Sequence, residues 1–194
     1  MDYVTKANDM DKVLLYYDYE AALASYEERL MKINQAWQRN SKMKNIAKPV
    51  LLLTVLKAID DGNITENHFE YDTIKRQYNL TFSRYFFQAE QQNATAMLLP
   101  WYHLTTDKFW ILSYKNNGLF KGKPSEKWIH DNVSHAYFED DLWVLVQNRK
   151  YRKLLMEFII EKKIRVAVEQ EEKEKGFMAA EGRWLKSLLM LLAM

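Results

Sequence analysis

A predominantly helical α+β fold is what the patterning of this chain predicts. Glycine and proline are scarce, at five and three in 194 residues, so long stretches run without a helix breaker. Apolar residues recur at three- and four-residue steps through much of the chain. One short region, Leu98 to Tyr114, instead carries the density of rings expected of a small antiparallel β-hairpin or a three-stranded sheet. The 194 residues are enough for one well-packed domain or one domain with an appendage, and hydrophobic content of 48% with aromatic content of 14% argues for a folded globule.

The elements follow in order. Residues 9 to 38 predict a long amphipathic helix, with Leu15, Tyr19, Ala22, Tyr26, Leu30, Ile33 and Trp37 on one face. Asn40 to Asn45 is a polar connector. A second helix spans 47 to 60, with Pro49 in its first turn and Gly62 as its stop signal. Leu51, Leu52, Leu53, Val55, Leu56 and Ile59 make it apolar on most faces, which marks it as the central buried helix. Residues 68 to 78 predict a short helix and Gln88 to Ala96 a polar loop. Leu98–Leu104 and Phe109–Tyr114 read as two strands around Thr105-Thr106-Asp107-Lys108, and Leu119-Phe120 as the start of a third after Asn116-Asn117-Gly118. Ser125 is placed to cap a short helix reaching about 132. Helices over 139 to 146 and 149 to 165 follow, the latter facing Leu154, Leu155, Phe158 and Ile159 inward. The domain expected over 1–165 is then followed by a helical tail, 166–194, that ends in an apolar stretch from Trp184.

Composition narrows the chemistry. There is no cysteine, which removes disulfides, thiol catalysis and thiolate zinc sites. The start of the chain does not read as a signal peptide, and its longest apolar run, Leu188 to Met194, is far short of a bilayer span. The expectation is a soluble, cytoplasmic protein. There is no glycine-rich phosphate loop and no serine nucleophile elbow. His68, His103, His130 and His135 show no convincing ligand spacing, so neither a metal nor another cofactor is expected. Glu161-Lys162-Lys163 and Glu171-Glu172-Lys173 match a Glu-x-Lys fragment of some metal-dependent nucleases, but without a matching aspartate they read as a solvated charged face.

Charge is more informative than its sum. The net charge is +2, yet Arg39 to Ile59 holds five basic residues and no acid. Lys108 to His130 holds five lysines against Glu126, and Arg149 to Arg165 seven basic residues against two acids. Two of these stretches flank the segments Lys48-Pro49-Val50-Leu51-Leu52-Leu53 and Pro100-Trp101-Tyr102-His103-Leu104. Cationic side chains bind phosphates, and rings or prolines beside them contact sugar or base.

Five segments in order extend that reading: 48–56, Asp61 to Asn67, Pro100 to Leu104, Asp107-Lys108-Phe109-Trp110, and Ala136 to Trp143. Together, over roughly residues 10 to 160, they resemble the N-terminal module of bacterial HNH-type restriction endonucleases, which is similar to the sulfur-binding domain that recognises phosphorothioate-modified DNA. The resemblance implies an α+β module that docks on double-stranded DNA and holds the sulfur in a shallow apolar pocket of a proline and a neighbouring aromatic, surrounded by basic residues. Pro100 matches that proline and Trp101 the aromatic. Lys48, Tyr102, His103, Lys121, Lys123 and His130 complete the expected DNA- and sulfur-binding set. The family often has Tyr where this chain has Leu99, His where it has Ala47, and commonly Arg where it has His130.

No His-Asn-His pattern follows residue 160, so the expectation is a recognition module of a restriction or defence system without catalysis of its own. A nuclease partner or self-association through 177–194 would complete it. The competing expectation is a protein-interaction or oligomerisation module related to that domain. A cryptic metal-dependent nuclease is a third reading, supported only by fragments.

Overall fold

The computed structural model describes residues 18–36, 44–86, 95–115 and 124–167, together with 169, 173 and 176. The fold is mostly helical with one small antiparallel sheet, as expected. Leu15, Trp37, the Leu119-Phe120 strand, most of the 88–96 loop and the segment 177–194 lie outside the described residues.

The first helix, α1 (Tyr19–Met31), is capped by Asp18, whose carboxylate accepts from the Ala21 amide at 2.9 Å. Its buried stripe is Ala22, Tyr26 and Leu30, the spacing read from the sequence. Helix α2 (Ala47–Asp60) is the centre of the molecule: Val50, Leu51, Leu53 and Val55 are wholly buried, and the helix touches the helices Tyr71–Phe86, Leu98–His103 and Arg149–Phe158 and the segment Ile159–Arg165. Each such side chain contributes roughly 1.5–3 kcal/mol by leaving water. The helix ends at Gly62, φ +74°, where the Asn63 and Gly62 amides donate back to the Ala58 and Ile59 carbonyls at 2.9 and 3.2 Å. Helix α3 (Tyr71–Phe86) starts later and runs further than the predicted 68–78.

The largest correction concerns Leu98–Leu104, expected as a strand. Leu98–His103 is a helix, α4, continued by a 3₁₀ turn over Leu104–Asp107. The reason is in the spacing: Met97, Pro100, Trp101 and Leu104 are all buried, at i, i+3, i+4 and i+7. Pro100 lies in the first turn, where no intrahelical donor is missed. Lys108 then turns the chain at φ +65°.

Strand β1 (Trp110–Tyr114) was anticipated, but its partner was not. Helix α5 (Glu126–Asn132), capped by the Ser125 hydroxyl as expected, leads directly into β2 (Val133–Phe138). The pair is antiparallel, Trp110 opposite Phe138 and Ser113 opposite His135, with an irregularity between Ser113 and Tyr114. It is therefore no tight hairpin, since the stretch from Lys115 to Asn132 separates the strands. The far edge of β2 meets Phe69, whose amide and carbonyl bond Ala136 at 2.8 and 2.9 Å. Asn67 continues that edge with its side chain, donating to the Phe138 carbonyl at 2.7 Å and accepting from its amide at 2.9 Å.

Helix α6 (Asp140–Gln147) carries two aspartates in its first turn, and α7 (Arg149–Phe158) passes into a π-helical segment, Ile159–Arg165. Arg152 is buried and clamps three elements: it donates twice to Asp60, at 2.7 and 3.1 Å, and to the Val146 carbonyl at 2.6 Å. The 161–163 run departs from the expected solvated face. Glu161 pairs with Arg165 at 2.8 Å in solvent, but Lys163 is buried with Ile159 and Ile164 along the inner side of the segment. No described helix is long and apolar enough to cross a membrane.

Candidate functional site

Three parts of the chain meet around a groove of about 370 Å³: Asn34–Ala36 after α1, Asn45–Lys48 at the start of α2, and Thr95 to Thr106 around α4. Asn45 joins all three. Its amide donates to the Ala36 carbonyl at 2.7 Å, its side-chain amide to Thr95 Oγ1 at 2.9 Å, and its Oδ1 accepts from the Ala47 amide at 2.8 Å. Gln35 Nε2 donates to the Asn45 carbonyl at 3.0 Å. An asparagine suits this position because one short side chain both donates and accepts without extending the turn. The groove's frame is thus preset by hydrogen bonds.

The apolar wall is formed by Pro100, Leu99 and Ala47. Leu99 is 46% exposed. Pro100 is buried by its neighbours but keeps a face on the groove. At the Thr106 end, Lys48 Nζ lies 2.6 Å from Asp107 Oδ2 and 3.5 Å from Thr106 Oγ1. His103 lines the same groove, exposed, and its carbonyl accepts from the Thr106 hydroxyl at 2.8 Å.

The structure brings Lys48, Pro100 and His103 of the expected set to one site. Trp101 is directed elsewhere. It is fully buried, edge-on to Tyr71 and Trp110 at 5.2 and 5.0 Å, with its carbonyl accepting from the Trp110 indole. The Trp101 indole N–H has no hydrogen-bond partner among the described residues. Trp101 points about 100° away from Pro100 around α4, as consecutive helical residues do. Tyr102 packs edge-on to Trp128 at 6.1 Å. His130 lies on α5, 3.6 Å from the Asp72 carboxylate and edge-on to Tyr71. Lys121 and Lys123 lie outside the described residues.

Sequence reasoning gave no role to Asn45, Gln35 or Asp107. Only the Asx-turn preference of Asn45 was available as a signal. Lys163, expected on a solvated charged face, is buried instead: its Nζ donates to the Met31 carbonyl at 2.9 Å, closing the end of α1, and its own carbonyl accepts from Gln35. Burial lowers the Lys163 pKa, with Lys44 adding to that and Asp107 opposing it. Among the described residues, no group of three or more His, Asp or Glu converges as a metal site would require.

No model of a known protein family matches the chain, and no curated protein matches it.

Proposed function

We propose that this chain is a non-catalytic DNA-recognition module whose groove receives a phosphorothioate of the DNA backbone, acting in the cytoplasm as part of a bacterial restriction or defence system. One observation carries the reading: Pro100, the expected sulfur contact, shares a preset groove with the apolar Leu99 and Ala47 and with Lys48 and His103. Sulfur is larger, softer and less well hydrated than oxygen, so apolar atoms favour it without giving up a strong hydrogen bond. The volume is roughly ten times the ~30 Å³ a water occupies in the liquid, enough for a phosphate with part of its sugar. Phosphates on either side still need cationic side chains, the role expected of Lys121 and Lys123.

A second reading, a protein-interaction module, draws on the exposed Leu99, which would equally suit an apolar side chain of a partner. Titration of one short duplex, with and without a single phosphorothioate of natural configuration, at two salt concentrations separates the two. Tighter binding of the sulfur duplex, with the preference reduced by Pro100→Ala, is the expected result. Equal, salt-dependent binding makes the chain a general DNA binder. Absence of binding at low salt refutes the proposal in favour of the second reading.

A further inference from the structure

Lys48 does not meet the groove with its whole charge. It and Asp107 are nearly out of water, their side chains 12% and 11% exposed, and 2.6 Å apart. At that depth the pair is poorly screened, so the carboxylate cancels most of the field that the ammonium would send into the groove. Asp107 is also fixed in place. The Thr105 and Thr106 hydroxyls bind the Tyr102 and His103 carbonyls at 2.7 and 2.8 Å, tying the 3₁₀ turn to α4. The left-handed Lys108 then redirects the chain into β1. The carboxylate is built in beside Lys48 by the backbone rather than swung there by a long side chain.

An incoming phosphate thus meets an apolar wall and a lysine that is already paired. An ordinary phosphate oxygen is small, hard and strongly hydrated, and leaves water only for strong charge-assisted bonds. Sulfur requires less compensation. Resting on the reading of the groove as a phosphorothioate site, we propose that Asp107 is its specificity-determining residue. By pairing Lys48 it withholds the charge that would bind any phosphate, and leaves contact with Pro100 and Leu99 to decide between sulfur and oxygen.

The test compares wild type, Asp107→Asn, Lys48→Met and the double variant on plain and singly phosphorothioated duplexes at two salt concentrations. Asp107→Asn binds plain DNA about tenfold tighter and the sulfur duplex by a smaller factor, so the preference shrinks, while the salt dependence steepens by roughly one phosphate contact. Lys48→Met leaves Asp107 as a bare anion and weakens both duplexes by at least about tenfold. The double variant restores a neutral pair of similar volume. It binds the sulfur duplex at least about threefold tighter than Lys48→Met does and keeps the preference. The double variant also carries the test if Asp107→Asn fails to fold, since it leaves neither charge of the pair buried without its partner. An unchanged sulfur-to-oxygen ratio in Asp107→Asn, or a double variant as weak as Lys48→Met, overturns the inference while leaving the groove's function intact. Failure of wild type to bind either duplex ends both.

Discussion

Arg152 and Asp60 show how much one buried pair decides. The guanidinium is 8% exposed and holds the Asp60 carboxyl below the usual carboxylate range. A carboxyl whose folded pKa is depressed contributes stability that is complete above its unfolded value, about 3.9, and is lost as pH falls through the folded value. Asp60→Asn should therefore cost about 2–3 kcal/mol at neutral pH and flatten the acid limb of the stability curve, read by denaturant melts from pH 7 to 3. His135 shifts in the same sense. Burial, and then His68 stacked on it at 3.8 Å, lower its pKa from the ordinary 6.5. The folded state takes up this proton less readily than the unfolded chain, so stability declines as pH drops below 6.5. NMR titration should give a His135 midpoint below 6.5, and His68→Ala should raise it. None of these pairings was legible from sequence, because Asp60 and Arg152, or His68 and His135, meet only through tertiary packing.

At the scale of elements, strong periodicity was readable and short apolar runs were not. Helix α2 matched in both type and limits, since a fourteen-residue run with a glycine stop has few alternatives. Its closing turn depends on Gly62, where a Cβ would meet no atom but the φ of +74° is strained for any other residue. Gly62→Ala should cost about 1 kcal/mol, measured by thermal unfolding, with no effect on the groove. The six residues of α4 fit a strand or a helix by composition, and only their burial spacing decides. The site suffered from that ambiguity. A strand would have set Pro100 and Tyr102 on one face, whereas the helix turns Pro100 to the groove with His103 and sends Trp101 into the core. The strand β2 was missed because Val133 to Phe138 is short and bounded on both sides by helix signals.

Across the whole molecule, α2 is shared by the core and the groove: its middle is sealed among apolar side chains, while its first turn supplies Ala47 and Lys48 to the site. Ligand held at the groove therefore bears directly on the most buried helix, and it should raise the unfolding temperature with the logarithm of ligand concentration above Kd. The small sheet has its own significance at this scale. Asn67 bonds both backbone groups of Phe138, and Phe69 both groups of Ala136, so these two residues of β2 offer no unpaired ladder groups to another chain. Asn67→Ala would uncover one donor and one acceptor at the corner of an aromatic strand. The expected outcome is a concentration-dependent loss of monomer on storage, followed by light scattering, out of proportion to any change in melting temperature. One amide side chain would then act as a guard against polymerisation.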